Sequence, residues 1–202
     1  SKYFVSFIDD FTHFAMIYPI KKKSDVFKSF QEYEAVVTSM FCGIFISKLT
    51  IDQGREYLSK EQSKWYKSKG IQVETTVAYS PQQNGVAERF NRTITEKVRT
   101  MLIDSNAPKN MWSEAALAAV YLLNRCPTRS LVNLKTPAEM WLEIPPKLDK
   151  IRVFGCKAYV WIPHQCRKKL DVRSKKTIMV GSDAHLYSGR NHHRCRLGSG
   201  CS

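Results

Sequence analysis

The chain has 202 residues, 43% of them hydrophobic and 25% charged, with 32 Lys and Arg against 18 Asp and Glu and a net charge of +14. That length holds one domain with a good core plus a small appendage, and so large a positive excess points to a polyanionic partner, most simply nucleic acid. A membrane span is excluded, because the longest apolar run, Ala115 to Leu123, falls far short of the roughly 20 residues that one needs.

Strands come first. "YFVSFI" and "FAMIYPI" are β-branched and aromatic runs separated by "DDFTH", whose Asp and Thr side chains suit a turn, so residues 3–20 predict a β-hairpin. Ser24 and Asp25 are N-cap types; Val26, Phe27, Phe30, Tyr33, Val36 and Val37 then recur at helical spacing up to about Met40, with Gly43 as a stop. "IFISKLTI" alternates as a strand ending at Asp52. Ser59 to Lys69 predicts a second helix closed by Gly70, and "IQVETTVAY" a short strand. The polar stretch "AYSPQQNG" reads as a turn-rich loop, and a long helix follows from Gly85 to Asn106. Met111 to Arg125 is an apolar helix expected to pack under the preceding domain, with Pro127 and Pro137 punctuating what comes next. "RVFGCKAYVWI" and "KKTIMVG" predict strands of a small β-module joined by the basic link "RKKLDVRSKK".

The long helix is two-faced. At about 100° per residue, Glu88, Arg92, Thr95 and Arg99 fall in one narrow stripe, and Phe90, Ile94, Val98 and Met101 lie opposite. A lone carboxylate among arginines would by itself make an i,i+4 surface pair with Arg92 worth a few tenths of a kcal/mol. Asp52 suggests another use, since it stands where a hydrophobic strand emits its first polar residue, at the sheet end where α/β proteins place catalytic groups. Two such carboxylates can hold Mg²⁺, which takes oxygen ligands and keeps waters and substrate phosphate oxygens around it. In a two-metal site one ion lowers the pKa of the attacking water or hydroxyl, and the other stabilises the leaving oxygen. Arg89, Arg92 and Arg99 could then neutralise phosphates of a nucleic acid laid across the helix.

"TIDQGREY", "AYSPQQNGVAERFNRTITEKVRTML", "MWSEAALAAVYLLNRCPT", "KTPAEMW" and "IRVFGCKAYVWIP" are numerous and ordered blocks that together resemble the integrase region in the polyprotein of copia-like long-terminal-repeat retrotransposons, over roughly residues 3–181. The resemblance implies an α/β, ribonuclease H-like mixed sheet flanked by helices, and the Asp, Asp, Glu chemistry of that superfamily. Asp52 matches the second acid and Glu88 the third, as ligands of Mg²⁺ or Mn²⁺. It also implies DNA partners, the element ends and the target, a homo-oligomer when intact, and trimming of ends followed by their joining to target DNA. Gln82, Gln83, Asn84 and Gly85 match the mobile loop before the third acid, so Gln83 and Asn84 join Arg89, Arg92 and Arg99 as expected DNA contacts. Glu56 is a neighbour of the motif and not one of the acids, and Gln53 replaces the usual Asn without removing a ligand.

The fold implied begins with three antiparallel strands, the first carrying the first acid, and only two precede the helix at Ser24. Asp9 and Asp10 are therefore expected to form a turn, with the first strand and its Asp lying before Ser1. The expected division is a catalytic domain over 1–144, extended by helices from about 106, a β-module over 145–181, and a disordered or frame-shifted tail over 182–202. That tail carries His185, His192, His193, Cys195 and Cys201, whose spacing fits no zinc finger. Six cysteines without paired short spacing, and nothing resembling a secretory signal, point to a reducing cytosolic or nuclear setting. The alternative to a fragment of an enzyme is a non-catalytic nucleic-acid-binding relic or domesticated copy that keeps the basic surface and the fold.

Overall fold

A computed structural model describes residues 1–41, 45–51, 59–75 and 81–181, with side chains from 85 onward in the last stretch. The elements in order are β1 (Tyr3–Ile8), β2 (Ala15–Ile20), α1 (Val26–Met40), β3 (Lys48–Ile51), α2 (Lys60–Ser68), β4 (Gln72–Thr75), α3 (Pro81–Asp104), α4 (Trp112–Leu123), α5 (Pro137–Leu142), β5 (Lys157–Trp161) and β6 (Ser174–Ile178). Two compact units contain them, Ser1–Thr93 and Ile94–Ser202, and α3 contributes residues to both.

In the first unit the hairpin is the one expected, β1 antiparallel to β2 with Tyr3 opposite Ile20 and Ile8 opposite Ala15. Its turn is held by Asp9, whose carboxylate accepts the Thr12 backbone N–H at 2.8 Å and the Thr12 hydroxyl at 2.7 Å. Those bonds satisfy donors that a tight turn leaves over, which is why Asp and Thr recur in such loops. α1 opens on a short 3₁₀ turn in which the Asp25 carboxylate accepts the Lys22 N–H. Its apolar face meets the hairpin and α2 through rings: Phe7 stacks on Tyr33 at 4.8 Å, and Phe30 meets Trp65 and Tyr66 edge-on at 5.9 and 5.7 Å. Ser59 caps α2 by a reciprocal exchange with Gln62, and Gly70 follows at φ +72°. Buried Glu34 accepts a hydrogen bond from Lys69 Nζ at 3.0 Å, tying α1 to the end of α2.

β3 pairs in parallel with β4, Lys48 opposite Gln72 and Ile51 opposite Thr75. The strand is shorter than "IFISKLTI" suggests, since the ladder with β4 starts at Lys48. A mixed sheet needs pairing in both senses, and both are present, in the separate ladders β1–β2 and β3–β4.

α3 starts at Pro81, four residues before the expected Gly85. Proline at the first helical position has φ already set and gives up an N–H that no helix start uses, so Gln82, Gln83 and Asn84 follow it on helical backbone and not in a loop. In the second unit, Ala115 and Ala118 of α4 form a core with Phe154 and Val180, against which Val98, Met101 and Leu102 of α3 pack. Gly155, at φ +77°, lies so close to the turn that follows α3 that a Cβ there would overlap Ser105. α5 is an element that the periodicity does not show; Thr136 caps it by accepting the Glu139 N–H at 3.1 Å, and Pro137 is its first residue. β5 and β6 form an antiparallel pair, Lys157 opposite Ile178 and Trp161 opposite Ser174.

Burial in this first unit has a measurable consequence. It pushes the Tyr33 phenol far above its ordinary range, with the Asp9 carboxylate and Tyr18 adding to the shift. The folded chain therefore keeps that proton where the unfolded chain, titrating near about pH 10, loses it. The stability contributed by neutral Tyr33 is complete below that pH and is lost as pH rises toward the folded value, at a limiting slope of about 1.4 kcal/mol per pH unit. Urea unfolding between pH 8 and 11 should show a shallower alkaline fall for Tyr33→Phe than for the parent. Equal slopes would assign the fall to other groups.

Candidate functional site

α3 carries most of the candidate residues, and the helix separates its exposed from its buried side chains as the sequence predicts. Glu88, Arg89, Arg92, Thr95 and Arg99 are exposed, whereas Ile94 is fully buried and Phe90, Val98 and Met101 are half-buried on the other side. Arg89 folds back along its own helix so that its guanidinium lies over Gly85, where a Cβ would stand 3.4 Å from Nη1. The Thr93 hydroxyl donates to the Arg89 carbonyl one turn earlier at 2.9 Å. Among the described residues Glu88 and Arg92 form no ion pair, so the i,i+4 surface pair that would have explained the carboxylate structurally is absent.

One residue that the stripe does not include ties the helix to the hairpin near Glu88. Asn91 accepts a hydrogen bond from Ser6 at 2.9 Å, which pins α3 to the middle of β1 across 85 residues of sequence. Residues three apart on a helix are neighbours, roughly 5–6 Å between Cβ atoms, so Glu88 sits one turn from that pin. The sequence signal was small: Ser6 is the polar interruption of an apolar strand, "YFVSFI".

The other predicted acid, Asp52, lies outside the described residues, as do Gln53 and Glu56. It is the residue after Ile51, the buried end of β3. Gln83 and Asn84 have helical backbone, and their side chains are outside the description. Asp9 is committed to its turn by two hydrogen bonds and Asp10 is exposed beside it. Among the described residues no three His, Cys, Asp or Glu side chains gather as a metal site. The tail histidines and cysteines also lie outside the description. What α3 offers chemically is a free carboxylate, a hard oxygen donor, in line with cations spaced along one helix face.

Comparison with known proteins places these residues in context. A family described as "Retroviral polymerase SH3-like domain" matches residues 156–187. The chain is 42% identical over 181 residues to the "Retrovirus-related Pol polyprotein from transposon TNT 1-94" of Nicotiana tabacum, covering 90% of this chain and 14% of that one. It is 34% identical over 183 residues to the corresponding polyprotein from transposon RE1 of Arabidopsis thaliana, covering 89% and 12%. The chain thus spans 12–14% of the length of these relatives. Among solved structures it resembles a chain of the simian T-cell lymphotropic virus intasome in complex with PP2A regulatory subunit B56 gamma. That match has a TM-score of 0.54 and 18% identity, over 87% of this chain and 61% of that one. At that identity the likeness is one of fold, and the fold is the ribonuclease H-like α/β architecture expected.

Proposed function

We propose that this chain, which belongs to the integrase-related region of the copia-like retrotransposon Pol polyproteins, is the part of a DNA integrase that lays DNA across α3 and contributes two metal-binding carboxylates, Asp52 and Glu88. The observation that carries the reading is the exposed stripe of Glu88, Arg92 and Arg99, on a helix pinned to β1 through Asn91 and Ser6. A carboxylate that makes no ion pair with its arginine neighbour is available to a cation, and the arginines beside it are available to phosphate.

The donor set suits Mg²⁺ or Mn²⁺, both of which prefer carboxylate oxygen to imidazole or thiolate. Bound there, such an ion supplies charge neutralisation and a lowered pKa for the attacking hydroxyl. The chain's own residues position the substrate. Arg92 and Arg99 meet phosphates without reading bases, so the DNA is set in register and its sequence is left to other contacts. Glu88 brings its charge to the same face, and Asp52 follows the buried end of β3. Joining a 3′ hydroxyl to a target phosphodiester is the reaction this arrangement serves, in a protein of the relatives' length and in more than one copy. Free Cys126, Cys156 and Cys166 suit a reducing compartment.

Binding tests the DNA face directly. Affinity for duplex DNA should depend little on sequence and fall steeply with salt, because each neutralised phosphate releases condensed counterions. Arg92→Ala and Arg99→Ala should each lower the slope of log affinity against log salt by about one unit. A slope unchanged by both substitutions would place the DNA on another surface.

A further inference from the structure

We infer that Ser6 and Asn91 are positioning residues for the metal ligand Glu88, their hydrogen bond setting the rotation of α3 against the hairpin and so the place of the carboxylate, a role that rests on the function proposed above.

The pairing register puts Phe4, Ser6 and Ile8 on one side of β1 with Pro19, Ile17 and Ala15 opposite them on β2, and Ser6 is the polar member of that set. None of the six is exposed. The other side of the strand meets α1, where Phe7 stacks on Tyr33. Between residues 88 and 92 of α3, Glu88, Arg89 and Arg92 are exposed while Phe90 and Asn91 are half-buried, so Asn91 is the polar residue turned from solvent. The two polar residues meet: Ser6 Oγ donates to Asn91 Oδ1 at 2.9 Å.

Burial of apolar area is non-directional, so it holds a helix on a sheet without choosing its rotation, whereas a hydrogen bond weakens steeply off its line and therefore chooses one. Rotation matters at Glu88. It stands three residues from Asn91, about 60° round the axis and about 4.5 Å along it. With side chains reaching roughly 5–6 Å from the axis, a turn of about 20° carries a carboxylate by about 2 Å. Mg²⁺ takes its ligands at about 2.0–2.1 Å in near-ideal octahedral geometry, so a shift of that size removes one. Packing alone would be served as well by leucine at 91 and alanine at 6. The polar pair is the part of this contact that supplies direction.

The test uses an integrase-length protein that contains this segment, with Ser6→Ala, Asn91→Leu, the double variant, Ser6→Thr and Glu88→Gln. Joining of a labelled oligonucleotide carrying the element's terminal sequence should fall roughly ten- to a hundred-fold in Mg²⁺ for Ser6→Ala and for Asn91→Leu. In Mn²⁺, which is larger and less exacting in geometry, the fall should stay under about three-fold. Calorimetric titration of the DNA-bound protein should show Mg²⁺ affinity lowered about ten-fold in both variants. The double variant should lose no more than the worse single one, because the same bond is removed either way. Ser6→Thr keeps the hydroxyl on a β-branched side chain suited to a strand, and should restore both joining and Mg²⁺ affinity. A merely structural role would lower joining equally in both metals and in step with stability to urea; that result, or Mg²⁺-supported joining by Ser6→Ala within about two-fold of the parent, would overturn the inference. If Asn91→Leu does not fold, Ser6→Ala and Ser6→Thr decide. Undiminished joining by Glu88→Gln would overturn the metal-ligand reading and this inference with it, whereas loss with Glu88→Gln beside unchanged joining with Ser6→Ala would overturn this inference alone.

Discussion

Asp52→Asn or Glu88→Gln, placed in an integrase-length protein that contains this segment, should lower strand transfer by about 10³-fold or more while DNA binding stays nearly intact. Each change keeps the shape of the side chain and some of its hydrogen bonding, but removes the negative charge that a hard divalent cation requires. A factor of about 10³ corresponds to roughly 4 kcal/mol of lost transition-state stabilisation, a scale within reach when charge and position are both disturbed. DNA affinity should survive because phosphate contacts depend on arginines, and removing a carboxylate from a basic face favours a polyanion if anything. The measurement is joining of a labelled oligonucleotide carrying the element's terminal sequence, in Mg²⁺ and in Mn²⁺, with the parent protein and both variants assayed together. Undiminished joining by either variant would remove that residue from the metal-binding set. A parallel loss of DNA binding would show that the substitution had damaged the fold.

Gly155→Ala should destabilise the chain by about 2–5 kcal/mol, the larger of the packing effects expected here. Two costs add. At φ +77° any side chain is strained, and the new Cβ would overlap Ser105, whose Cα would stand only 3.2 Å away, so that the backbone of the turn just after α3 would have to give. Gly70→Ala is the control: its φ of +72° is similar, yet nothing lies within 4 Å of a Cβ there, so about 1 kcal/mol of strain should be the whole effect. Adding Ser105→Gly to Gly155→Ala should recover the collision and leave the strain. Urea unfolding of the four chains gives the comparison. Equal losses at 70 and 155 would mean that the helix accommodates the extra carbon.

Elements with local signals are the ones legible in the sequence. The hairpin over 3–20, the Ser59 and Gln62 cap, and Gly70 as a helix stop all sit within a few residues of the structure that they dictate. The faces of α3 are legible for the same reason, since 3.6-residue periodicity sorts Glu88, Arg92 and Arg99 from Ile94 with no tertiary information. Pro81 misleads because Pro-Gln-Gln-Asn-Gly suits a turn, while proline also suits the first position of a helix, and only the following turn of hydrogen bonds decides. Thr136 and Pro137 carry that same signature for α5 in a segment where proline reads first as punctuation. The Ser6–Asn91 bond had no local signal at all, because its partners are 85 residues apart and each is ordinary in its own context. That bond ties α3 to β1 one turn from Glu88. The helix face that carries the candidate residues was therefore readable, and what anchors that helix was not.

The two faces of α3 also differ in what heredity can do to them. A change at Glu88 alters an exposed side chain whose loss disturbs no packing. Changes at Ile94, which is fully enclosed, strike the core itself. Fold and carboxylate can therefore be lost separately along one helix, and on the function proposed a copy changed at Glu88 would keep its fold and basic surface after losing the metal ligand.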